Sequence, residues 1–143
     1  MLEFSCILDF LEKRYLLSLC CVDDDNLWCA NCFYVFDATT MSLWLMTDLN
    51  TRHGLYLIKN PNIAGTIDNN KKNISLIQGI QYKGCISMLE GINKKKAFIA
   101  YHKRFPMSQF ISAPIWSIKL EEIKMTDNTS KFGNKIIWHR NTF

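Results

Sequence analysis

Residues 47–61 read TDLNTRHGLYLIKNP. TDLNT has the polar chemistry of a helix start, and GLYLIKNP runs through an apolar turn to a proline stop. This helix is the one candidate in the chain for a crossover between parallel strands. A parallel, doubly wound sheet needs strands that alternate with such helices throughout. One is too few, so the chain is read as an antiparallel α+β domain, a small barrel with its helices at the periphery.

Upstream, YLLSLCCV (15–22) is a continuous apolar run of strand length. DDDN (23–26) supplies turn residues, and LWCANCFYVFD (27–37) returns as the second arm of a hairpin. Residues 37–40 break the chain before MSLWLMT (41–47), a third strand. Downstream, NIAGTI is short and strand-like, DNNKKN (68–73) is a polar loop, and ISLIQGIQYKGCISML (74–89) reads as one long strand. Its internal Gly79 and Gly84 mark a bend, a bulge or a close approach of another group. INKKKAFIAYHKRF is a helix with Ile92, Phe98, Ile99, Tyr101 and Phe105 on its apolar side, followed by a shorter helical piece, PMSQFIS. PIWSIKLEEIKMTD is a last long strand carrying Trp116, Ile118, Leu120 and Ile123. The tail KFGNKIIWHRN is less regular, with an apolar patch to cover.

The 143 residues are read as a single domain, 1–143, long enough for a core without staples. The opening MLEFSCILDFLEKRY alternates Leu2, Ile7, Leu8, Phe10 and Leu11 with charged residues at helical spacing. It is too short and charged to span a membrane and lacks the pattern of a signal peptide. A cytoplasmic protein without membrane contact is expected. A net charge of +4 is mild, and Lys94–Lys96 read as a solvated helix face rather than a nucleic-acid stripe. The six cysteines, Cys6, Cys20, Cys21, Cys29, Cys32 and Cys85, fall in apolar segments and are expected reduced. Cys29-Ala-Asn-Cys32 matches C-x-x-C but has no second ligand pair, and residues three apart on a strand face opposite ways. It is read as structural.

Catalytic motifs are thin. His53, His102 and His139 lack metal-ligand spacing, no serine sits in a nucleophile elbow, and neither G-x-G-x-x-G nor a Walker loop appears. One feature stands out. Helix starts favour acidic residues, because their unpaired N–H groups form the positive pole, yet Arg52 and His53 occupy this one. Two side chains merely bent into solvent would account for it. So would an anion: Thr47, Thr51, Arg52 and His53 together suit a phosphate group. Gln81 and Lys83 share a strand face between two glycines, and Asn31 and Phe33 share another. Phosphate, amide, ammonium and aromatic contacts together suit a phosphorylated, flat heteroaromatic ligand.

The order of these parts, a hairpin, then x-T-x-x-x-[ST]-R-[KH] opening a helix, then a strand ending [QR]-x-x-G, resembles the flavin-binding split barrels of the pyridoxamine-phosphate oxidase superfamily. Within it, LWCANCFYVFDA, AGTI, IQGIQYKG, RFPM, SAPIW, LEEIKMTDNT and IIWHRN are similar to the YhbP family along nearly the whole chain. The resemblance implies a six-stranded split β-barrel, a homodimer with flavin mononucleotide (FMN) at the subunit interface, and an FMN-dependent oxidoreductase of unknown substrate. The alternative is a non-enzymatic dimer that binds another phosphorylated ligand or a partner. Carried over, Thr47, Thr51, Arg52 and His53 match the phosphate stretch, with His53 in place of the usual lysine. Asn31 and Phe33 fall where the oxidases line the isoalloxazine, Asn31 standing where they have arginine. Gln81 and Lys83 fall on the strand approaching the ring and ribityl chain. The oxidases' substrate-binding arginine–histidine pair is not reproduced. Trp138 and Arg140 lie near its place without its spacing, and no catalytic residue is assigned.

Overall fold

Alternation of apolar and polar residues sets most of the strands. Along β1 (Leu16–Asp23), Leu17, Leu19 and Cys21 are buried while the residues between them face outward. A computed structural model describes residues 2–141. The side chain of Leu2, expected on the apolar side of the first helix, lies outside the described residues. In chain order α1 (Leu2–Lys13) precedes β1, then come β2 (Asn26–Phe33), β3 (Val35–Asp37), β4 (Ser42–Met46), α2 (Arg52–Lys59) and β5 (Asn62–Asp68). β6 (Gln78–Met88), α3 (Gly91–Arg104), β7 (Ile115–Asp127) and β8 (Asn134–His139) complete it. The sheet runs β2-β1-β5-β6-β7-β4-β3, with β8 also on β7. Every pairing is antiparallel. α2 connects β4 to β5, which lie three antiparallel steps apart and so run in opposite directions, so it is not a parallel crossover.

The described residues form eight strands, not six. Residues 27–37, expected as one strand, break at Tyr34. Its ring is fully buried, its hydroxyl donates to the Leu11 carbonyl at 2.8 Å, and its N–H donates to the Tyr15 carbonyl at 2.9 Å. That last bond keeps the β1–β2 register, which ends there, and beyond it β3 pairs with β4. The tail supplies the other extra strand, β8. Residues 74–76 form a 3-10 turn instead of strand, because the Asn73 side chain accepts from the Ser75 N–H.

β6 follows one edge of β7 from Trp116 to Asp127, so β4, opposite Ile115–Lys119, and β8, opposite Glu122–Asp127, share the other edge in succession. Between them β7 bulges. Lys83 faces Glu122 but Gly84 faces Leu120, leaving Glu121 as the extra residue. Burial changes parity there: Ile118 and Leu120 point inward before it, Ile123 and Met125 after it. A Cβ on Gly84 would lie 2.7 Å from the Lys119 carbonyl, so only glycine lets β6 approach the bulge this closely. The Arg140 guanidinium clamps the junction, donating to the carbonyls of Leu120 (2.7 Å), Thr40 (2.9 Å) and Met41 (2.8 Å).

The main core lies inside the curled sheet under α1, which contributes Ile7, Phe10 and Leu11. A smaller cluster of Ala97, Tyr101 and Ile115 seats α3. Ile92 and Ile99, expected on the apolar side of α3, are 77% and 71% exposed. They lie one heptad apart on the face opposite Ala97 and Tyr101. Lys94–Lys96 are exposed as expected. Of the cysteines, only Cys21 and Cys32 are buried; Cys6 and Cys29 are exposed. Among the described residues, no helix is long and apolar enough to cross a membrane.

Candidate functional site

The start of α2 is built from three directions. Thr51 caps it: its hydroxyl accepts from the Gly54 N–H at 3.0 Å and donates to the Asp48 carbonyl at 2.7 Å. Gly54 permits the loop to fold this tightly, since a Cβ there would lie 2.3 Å from the Asp48 carbonyl. Thr47 is anchored to β7, its carbonyl accepting from the Trp116 indole at 3.1 Å. The Thr47 hydroxyl lies 2.5 Å from His53 Nε2, with the Thr51 hydroxyl 3.3 Å away. Burial lowers the His53 pKa from 6.5, so near neutral pH the imidazole is uncharged and does not oppose the helix pole.

Arg52 is accommodated differently. Its guanidinium carbon sits 3.9 Å from the centroid of the Trp28 ring, and its Nε donates to the Tyr56 hydroxyl at 3.3 Å. The indole face compensates part of the positive charge. Among the described residues, no hydrogen bond or ion pair engages the Arg52 Nη groups, and the side chain is exposed. No acidic residue occupies the first turn. The chain can therefore present a guanidinium fork and free backbone N–H groups to an anion. The two hydroxyls expected beside them are already committed, Thr47 to His53 and Thr51 to its own helix.

The other four candidates lie on the outer face of the sheet. Asn31, Ser18, Thr66, Gln81 and Lys124 are successive partners in one row across five strands. Lys83 stands in the next row, opposite Ala64 and Glu122. Ser18 and Thr66 hydroxyls are bonded at 2.7 Å. Phe33 is half exposed and stacks on Tyr15, with Phe105 at 5.4 Å. Beside Asn31 a cleft of about 570 Å³ is lined by polar groups including Arg14, Ser18, Thr66, Asp68 and Asn69. That volume lies within the range of small-molecule sites.

The structure thus brings Thr47, Thr51, Arg52 and His53 together, and sets Asn31, Phe33, Gln81 and Lys83 on a common face. Among the described residues, no hydrogen bond or ion pair joins the two groups. Trp28 explains part of this separation, since it points to the face of β2 opposite Asn31. Trp28, Tyr56, Ser18 and Thr66 escaped the sequence reading. Tyr56 stands four residues after Arg52, a legible helical pair, whereas Trp28 meets Arg52 only through packing of α2 on the hairpin. Arg140, near the expected substrate region, has its Nε and one Nη group bonded to the carbonyls at the β7 junction.

No protein-family model matches the chain. It is 48% identical to a UPF0306 protein of Serratia proteamaculans over 134 residues, 94% of this chain and 93% of the relative. It is also 48% identical over 138 residues to a UPF0306 protein of Photorhabdus laumondii, covering 96% of each. Among solved structures, an FAD-binding protein from Mesorhizobium loti superposes with a TM-score of 0.71 at 12% identity, covering 85% of this chain and 91% of that one. A candidate pyridoxamine 5'-phosphate oxidase from Listeria innocua gives 0.69 at 18%, covering 87% and 98%. A heme binding protein from Mycobacterium smegmatis gives 0.76 at 12%, covering 91% and 57%. At these identities the likeness is one of fold, the split barrel.

Proposed function

The chain belongs to the UPF0306 family, and on that premise we propose that it binds FMN between two copies of itself and acts as a flavin-dependent oxidoreductase on a small-molecule substrate. The observation that carries this reading is the Arg52 guanidinium, held over Trp28 at a helix start, its Nη groups without a bond among the described residues. Arginine meets a phosphate bidentately, and the first-turn N–H groups add to it. His53, kept neutral, holds Thr47 in place and accepts or donates one hydrogen bond according to its tautomer. The fold neighbours that carry FAD or resemble a phosphopyridoxamine oxidase lend the flavin reading support.

The two separate groups of candidate residues support a shared site, in which one protomer offers its α2 start and the other its outer face. On that face Asn31 and Gln81 supply amide contacts, Phe33 an aromatic wall, and Lys83 a positive charge beside the ring system. Bound FMN would supply the electron transfer itself. A second reading is a dimer that binds another phosphorylated ligand or a partner. The commitment of both threonine hydroxyls to internal bonds favours it.

Titration with FMN, followed by flavin fluorescence, separates the two. Saturable micromolar binding is expected, weakened at least about tenfold by Arg52→Ala, or about 1.4 kcal/mol. Riboflavin, which lacks the phosphate, should bind wild type and variant alike. Wild-type protein that leaves micromolar FMN free would remove the flavin reading and turn the search to other phosphorylated metabolites.

A further inference from the structure

The β1–β2 hairpin places Cys20 directly opposite Cys29. Asp23 and Asn26 close its two-residue turn and form a hydrogen-bonded pair. Counting from there along the ladder, Cys20–Cys29 is a non-hydrogen-bonded pair. Such pairs hold their Cα atoms about 4.5 Å apart with the side chains drawn together, inside the window of roughly 4.4–6.8 Å that a disulfide spans. Both side chains lie on the outer face, Cys29 exposed and Cys20 half-buried, while Cys21 and Cys32 point into the core. Burial chiefly, and then the neighbouring Cys29, raises the Cys20 pKa. The C-x-x-C spacing of Cys29 and Cys32 is thus a coincidence of sequence. The chemically matched partner of Cys29 is across the ladder.

We infer that Cys20 and Cys29 form a dithiol site that reacts with low-molecular-weight disulfides to close a cross-strand bridge. The Cys29 thiolate, the more accessible, attacks one sulfur of the oxidant and expels the other half as a thiolate, leaving a mixed disulfide on Cys29. Cys20 gives up its proton and attacks Cys29 Sγ, expelling the second half. Two protein thiols are oxidised, one external disulfide is reduced to two thiols, and the protons released by the cysteines end on the leaving groups. Among the described residues β2 ends the sheet, paired along β1 alone. The bridge would fasten this edge strand to its neighbour.

Incubation with oxidised glutathione, alkylation of remaining thiols and peptide mapping by mass spectrometry tests this. Wild-type protein should yield a Cys20–Cys29 peptide pair lighter by two hydrogens, reversible with dithiothreitol. Cys20→Ser should instead accumulate glutathione on Cys29, because nothing is left to resolve it. Cys6→Ser should bridge like the wild type. A stable glutathione adduct on Cys29 in wild type would overturn the inference. So would a Cys29–Cys32 bridge, or a bridge only between copies.

Discussion

His53 carries the clearest pH signature at the scale of single residues. Its folded-state pKa lies below the 6.5 of an exposed histidine because the imidazole is partly desolvated beside Thr47. Above pH 6.5 the ring is neutral in both folded and unfolded chains and adds no pH dependence. Below it the unfolded chain takes up a proton that the folded protein resists, so stability falls as pH drops from 6.5 through the folded pKa. His53→Gln, which can still bond Thr47, should flatten that part of the profile while leaving the region above pH 6.5 unchanged. Urea unfolding midpoints at stepped pH measure it, and an undiminished slope in the variant would count against a desolvated His53. The side chains on this helix start answer the charge conflict seen in the sequence without any anion: one is neutralised by burial, the other laid on an indole. Neither solution can be read from TDLNTRHG, because both depend on partners elsewhere in the fold.

Among the elements, β7 shows what a sequence pattern can reveal. In IKLEEIKM the inward residues run 118, 120, 123 and 125. A period of two with one step of three is the mark of a bulge, and the Glu121–Glu122 pair sits on that step. The apolar positions were legible; the change of parity was the clue left unused. Tyr34 is the opposite case. Nothing in CFYVFD announces a break, which comes where the Tyr34 ring turns inward and its hydroxyl reaches a carbonyl of α1. The Arg140 clamp lies at the bulge, its guanidinium fork serving three carbonyls that would otherwise lack a charged donor. Arg140→Ala should lower stability by about 1.5–3 kcal/mol, seen as a shifted urea midpoint with little change in slope. Arg140→Lys should recover only part, since an ammonium cannot span all three acceptors. An unchanged midpoint in the alanine variant would show the clamp to be ornamental.

Across the whole molecule, an antiparallel sheet curled toward a barrel, with peripheral helices, was legible from hairpin spacing and the shortage of crossover helices, whereas its two open ends at β2 and β3 were not. The strand number was not, since β8 takes its place only because β7 is longer than β4. Long-range pairing of this kind has a temporal side. β7 is central to the sheet yet comes late in the sequence, and Ser42 waits for Lys119, 77 residues downstream. A chain cut after Ala113 should retain no cooperative urea transition, because β4 and β6 would both lose the strand between them. During synthesis at about 5–20 residues per second, the gap corresponds to roughly 4–15 s. For that interval β4 has emerged with its apolar face uncovered and its edge away from β3 unpaired, so the nascent chain depends on whatever keeps half-built sheets from finding one another.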